Sequence, residues 1–172
     1  MGYKGEKEID LKGAYASPSF IDGHVHIESG MLLPSEFAKL VIPSGTTTVV
    51  ADPHEIANVM GLQGISFMRE ATKDLPLDVY IMLPSCVPAT RLETSGVDLN
   101  CYDLALLIDA PWVLGIAEMM NFPGVINCDK EVLSKIKLGL DKQKRVDGHA
   151  PGLSGKGLNA YVASGIASDH EC

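Results

Sequence analysis

The strongest constraint on the fold of this chain is a repeated pattern: a short apolar run that stops at a histidine or a carboxylate. FIDGHVHIE, residues 20–28, is the first case. A strand sends residues i and i+2 to one face, so His24 and His26 point into one small volume, with Glu28 two positions further on. TTTVVADPHE ends in Asp52, His54 and Glu55; WVLGIAE ends in Glu118; RVDGH ends in His149; GIASDHE ends in Asp169, His170 and Glu171. All five histidines of the chain fall at such ends.

Between these runs the pattern turns helical. The apolar spacing and turn residues predict strands over 19–27, 46–51, 78–83, 112–117, 145–149 and 165–169. Helices are predicted over 34–42, with Pro34 in the first turn, and over 56–72, weakened by Gly61 and Gly64. Further helices are predicted over 102–108, over 129 to about 143 with Asp129 as cap, and over 157–164. Strands that alternate with helices imply a parallel sheet with crossover connections. The strands look apolar on both faces, as parallel strands buried on both sides do. A doubly wound sheet and a (β/α) barrel both fit this string. The polar strand ends favour the barrel, because there they converge on one mouth.

At 172 residues the chain is long enough for one domain with a core. A net charge of −8 argues against nucleic acid and anionic membrane as partners. No apolar run is long enough to span a bilayer, and the charged start MGYKGEKEIDLKG lacks the apolar stretch of a signal peptide. Cys86, Cys101, Cys128 and Cys172 form no CxxC pair and read as reduced thiols of a cytoplasmic protein. Residues 1–16 read as a lead-in, disordered or the remnant of a small β domain, and 17–172 as barrel. The chain stops directly after a polar cluster, which suggests a piece of a longer protein.

Imidazole and carboxylate gathered from several strands are the donor set for Zn²⁺, Fe²⁺ or Mn²⁺. A metal lowers the pKa of bound water and makes it a nucleophile near neutral pH. No GxSxG element and no phosphate-cradling loop competes with this reading. For the histidines the plain alternative is an ordinary polar sheet edge, and for Glu118 a lysine or arginine partner. For Asp52, His54 and Glu55 helix capping weighs about as much as a role at the mouth. Asn121 reads first as a turn residue, and Gly23 as a position where a side chain would crowd the mouth.

The segments FIDGHVHIES, TTTVVADPHEIANV, EMMNFPGV, DGHAPGLSGKGLNAY and GIASDHEC resemble the amidohydrolase superfamily, and within it the members that deaminate adenine. The resemblance runs from about Ser17 to Cys172. It departs at Ser19 and Gly30, where the family favours Gly and Ser. It implies a TIM-type (β/α)₈ barrel of the metal-dependent hydrolase kind, here cut short after about strand 6, before the aspartate that the superfamily carries on strand 8. His24 and His26 would bind one divalent metal, His149 and His170 a second, and Glu118 would bridge the two. Mn²⁺ or Fe²⁺ is implied first, with Zn²⁺ behind them. Glu118, His170 and Asp169 would act in catalysis, and His54, Glu55 and Asn121 would contact substrate. The implied reaction is hydrolysis of adenine to hypoxanthine and ammonia, by a cytoplasmic homo-oligomer. On its own this piece would be weakly active or inactive. A cyclic amidase or deacetylase of the same superfamily, or a piece that only binds metal, are the alternatives. A carboxylated lysine on strand 4 would favour the cyclic amidases.

Overall fold

The computed structural model describes residues 5–170; Glu171 and Cys172 lie outside the described residues. Residues 5–19 carry no helix or strand. From Phe20 onward the elements are β1 (Phe20–Val25), α1 (Pro34–Val41), β2 (Thr46–Ala51), α2 (His54–Met60), α3 (Leu62–Thr72), β3 (Asp78–Leu83), α4 (Cys101–Ala105), β4 (Val113–Met119), α5 (Phe122–Ile126), α6 (Lys130–Asp141), β5 (Arg145–Gly148), α7 (Gly155–Ala163) and β6 (Ser168–Asp169). Short 3₁₀ turns follow β1 at Ile27–Gly30 and α1 at Ile42–Ser44.

The strands pair in parallel in the order β1-β2-β3-β4-β5-β6. A doubly wound sheet reverses its strand order at a switch point; this sheet never reverses. It winds one way, as a barrel wall does. The curl brings the ends together at the top: the His24 ring, at the end of β1, stacks on the His170 ring, just after β6, with centroids 3.9 Å apart.

Capping residues set several helix starts. Asp129 accepts from the Glu131 and Val132 N–H groups at the head of α6, and Asn100 forms a capping box with Asp103 at α4. Two expectations change. The helix over 56–72 is broken, because Gly61 adopts φ 59°, ψ −137° between α2 and α3. A Cβ at Gly64 would lie 2.6 Å from the Ile56 carbonyl oxygen, so the glycines that weaken the helix let α3 fold tightly onto α2. The stretch after β4 also holds a short helix, α5, where only a loop was expected.

The core lies between sheet and helices, around Val49, Ile65, Ile81, Leu83, Leu104, Val113, Ile116, Ile136 and Val146. Each such side chain contributes roughly 1.5–3 kcal/mol on burial. α6 comes close enough to the sheet that a Cβ at Gly139 would lie 2.7 Å from Val146 and 3.0 Å from Ile116. Burial is not two-sided along the whole of each strand, contrary to the apolar appearance. In β3, Asp78 and Tyr80 are exposed while Val79 and Ile81–Leu83 are buried. An open groove of about 640 Å³ runs past Asp22, Val50, Met82 and Leu114, and the outer strands β1 and β6 have no fully buried residue. Gly23 is a further correction: a Cβ there would meet nothing within 4 Å. Among the described residues, no helix is long and apolar enough to cross a membrane.

Candidate metal centre

Every cluster residue sits at a carboxyl end of a strand, and the strands are irregular where they deliver it. Register shifts occur between Asp22 and Val25 of β1 and between Ile116 and Met119 of β4. These intervals contain His24 and Glu118. A bulge re-aims a side chain off the regular alternation, and Asp22 pins the first one by accepting from the His24 N–H.

The donor atoms form two sets that share Glu118. On one side, Glu118 Oε1 is 3.3 Å from His26 Nε2, which is 3.1 Å from His24 Nε2. On the other, Glu118 Oε2 is 2.9 Å from His149 Nδ1 and 3.1 Å from His170 Nε2, and these nitrogens are 3.4 Å apart. Donors on a tetrahedron with 2.0–2.1 Å metal–ligand bonds stand about 3.3 Å apart, so each set has the spacing that encloses a divalent ion. Glu118 is 4% exposed. A carboxylate so buried requires cationic company, and its company is histidine rather than the lysine or arginine considered from sequence.

Burial alone would raise the Glu118 pKa; hydrogen bonding to His26 and the charges of His54, His26 and His149 outweigh it and hold it at about 2. The same bond to Glu118, with one to Glu55, pushes His26 up to about 11. His24 moves the other way, lowered by burial and by the adjoining His170. In the metal-free chain His26 thus carries a proton on the nitrogen that faces Glu118.

β2 adds a buried pair. Asp52 Oδ1 lies 2.5 Å from His54 Nδ1, yet neither Asp52 oxygen takes part in a well-formed hydrogen bond. Asp52 also groups with His24, His26 and Glu118, with one ligand atom from each within 4.8 Å of the others. A buried carboxylate paired, among the described residues, only with His54, and set among metal-type donors, fits a cation. Glu55 accepts from the Ser29 hydroxyl and lies 3.4 Å from His26 Nδ1. Glu28 accepts from the Ile56 N–H at 3.3 Å, tying the turn after β1 to α2.

The structure therefore brings together His24, His26, Glu118, His149 and His170, with His54 and Glu55 on their rim. The Asn121 side-chain oxygen accepts from the Gly124 N–H and caps α5. Asp169 accepts from the Ala150 N–H at 3.0 Å, bracing the loop after His149. Sequence reasoning missed Asp147, which groups with His24 and His170. Its position two before His149, as His24 is two before His26, was the available signal. It also missed the end of β3, where the Ser85 hydroxyl donates to the Glu118 carbonyl at 2.6 Å and the Cys86 N–H donates to His54 Nε2 at 3.4 Å.

A singly wound parallel sheet with a histidine–carboxylate cluster at its mouth defines a barrel-type protein with a candidate binuclear metal centre. The chain belongs to the amidohydrolase family, whose sequence profile matches residues 15–172. It is 59% identical over 170 residues, 99% of its length, to a protein of Clostridium acetobutylicum named adenine deaminase. It is 55% identical over 170 residues to adenine deaminase 2 of Carboxydothermus hydrogenoformans, and 58% identical over 164 residues to the adenine deaminase of Nitratidesulfovibrio vulgaris. The chain spans about 30% of the length of the first two and 28% of the third.

Proposed function

We propose that this chain carries the metal-binding part of an adenine deaminase, and that the whole protein hydrolyses adenine to hypoxanthine and ammonia. The observation that carries the reading is the division of labour at Glu118, with one carboxylate oxygen facing each histidine pair. A glutamate there, rather than a lysine, supports a deaminase over a cyclic amidase.

His24 and His26 would hold one divalent ion, His149 and His170 the other, with Glu118 between them; Mn²⁺ or Fe²⁺ suits this mixed nitrogen and oxygen set, and Zn²⁺ comes next. Such a pair, when bound, supplies an activated water and polarises the ring being attacked. The remaining tasks belong to the chain. Glu118 and the four histidines fix the approach to the ring carbon that bears the amino group. A C–O bond forms there and the C–N bond breaks. A carboxylate must take a proton from the water and deliver one to the departing amine. Glu55 is the half-exposed carboxylate at the rim, and His54 lies beside it, held by Cys86. We assign Asp169 to shaping the His149 loop in support of catalysis, and Asn121 to shaping the loop floor where substrate contact was expected. A cytoplasmic setting agrees with the free thiols Cys86, Cys101 and Cys128. Assembly into an oligomer agrees with apolar side chains left exposed, such as Leu40, Val59 and Leu106.

The test is ammonia release from adenine by the whole protein, reconstituted with Mn²⁺, for the wild type and Glu118→Gln. Turnover that falls at least about 10²-fold in the variant is expected. Absence of adenine turnover by the wild type, or full activity in the variant, overturns the reading.

A further inference from the structure

Asp147 lies behind both halves of the cluster. It is on β5, two residues before His149. Its Oδ2 is 3.3 Å from His170 Nδ1 and 3.8 Å from His24 Nδ1. Its Oδ1 accepts from the Ser168 hydroxyl at 2.7 Å, which holds the carboxylate in place from the neighbouring strand. The His24 and His170 rings stack at 3.9 Å with planes 20° apart. One nitrogen of each ring therefore serves the cluster, Nε2 towards His26 or Glu118, and the other faces Asp147. His24 belongs to the set at Glu118 Oε1, and His170 to the set at Oε2.

We infer that Asp147 is a positioning residue shared by the two metal positions. It holds the Nδ1 edge of one histidine from each, so that both rings present an unprotonated Nε2 to their ions. The inference rests on the metal reading above. A metal-bound histidine needs a fixed tautomer and a fixed ring plane, and an acceptor at its far nitrogen supplies both. Here one carboxylate faces both far nitrogens. Two imidazoles stacked this closely also repel as either gains positive character, and a carboxylate against both offsets that. The contact to His170 is within hydrogen-bond reach, whereas the one to His24, at 3.8 Å, acts through charge rather than a hydrogen bond.

The test is Mn²⁺ binding to the purified chain, by titration and by the electron paramagnetic resonance of the bound ions, for wild type, Asp147→Asn, Asp147→Ala and His149→Ala. Far-UV circular dichroism checks that each is folded. Wild type is expected to bind two ions whose spectrum shows spin coupling. Asp147→Asn is expected to weaken binding at both positions by about 10–100-fold and to alter the coupled spectrum. His149→Ala is expected to weaken one position only. Wild-type uptake with an unchanged Asp147→Asn, or with one position weakened in it, overturns the shared role and leaves the metal reading intact. A wild-type chain that takes up no Mn²⁺ overturns both. Asn nearly matches Asp in shape, so the test stands even where the alanine variant fails to fold.

Discussion

At the scale of single residues, the site gathers charges around Glu118, which is almost fully buried while His26 beside it is partly open to solvent. The His26–Glu118 pair has a definite pH signature. Glu118 is held down at about 2, so its share of stability is present above the ordinary carboxylate range and is lost as pH falls towards 2. His26 is pushed up to about 11, so its share is complete below the ordinary histidine range and is lost as pH rises towards 11. The metal-free chain is therefore expected to gain most from this pair between about pH 4.5 and 6.5. Urea midpoints measured against pH check this, and a midpoint that keeps rising from pH 7 to 10 contradicts it. Binding of a metal at His26 Nε2 displaces the proton there, so calorimetry in buffers of different ionisation enthalpy should show proton release. Tyr161 is the second residue-level test. Its buried hydroxyl donates to the Met119 carbonyl at 2.7 Å and accepts from the His149 N–H at 2.9 Å, joining the strand end that bears Glu118 to the residue after β5. Tyr161→Phe removes both hydrogen bonds. It should cost about 1–3 kcal/mol in denaturant unfolding, and a cost near zero would mean the hydroxyl is not the link.

At the scale of elements, legibility varied with how local the cause is. The strands over Thr46–Ala51 and Asp78–Leu83 were read to the residue, since β-branched and apolar runs between turn residues leave little choice. The same logic put His24, His26, Glu118, His149 and His170 at strand ends. The break at Gly61 was not legible, because it depends on the approach of α3 to α2 and not on either helix alone. α5 was hidden by Asn121, Pro123 and Gly124, which read as a turn and instead start a helix of five residues. Asp147 was hidden because it sits inside a strand and its partners, His24 and His170, come from both ends of the sheet. The register shifts around His24 and Glu118 leave no mark on the sequence. Close packing of elements can be tested at Gly139. Gly139→Val drives two methyl groups into Val146 and Ile116, and should destabilise by about 1–3 kcal/mol or more. Because this contact is on the outer side of the sheet, Mn²⁺ affinity of the folded variant should stay near the wild-type value.

For the molecule as a whole, the order β1 to β6 does the work that no single motif does. It turns histidines 146 positions apart in number, His24 and His170, into stacked neighbours. A site assembled from both ends of the sheet couples metal binding to folding. Divalent ion at 100 times its dissociation constant should raise stability by about 2.7 kcal/mol for each site bound, seen as a shift in the melting temperature that chelator reverses. The central claim is that Glu118 joins two metal positions, one at each carboxylate oxygen. Its most direct test is the number of divalent ions bound per chain, counted by elemental analysis after dialysis, in wild type and in Glu118→Ala. The account predicts two ions for the wild type, and loss of both in the variant. Two ions retained by Glu118→Ala would contradict it.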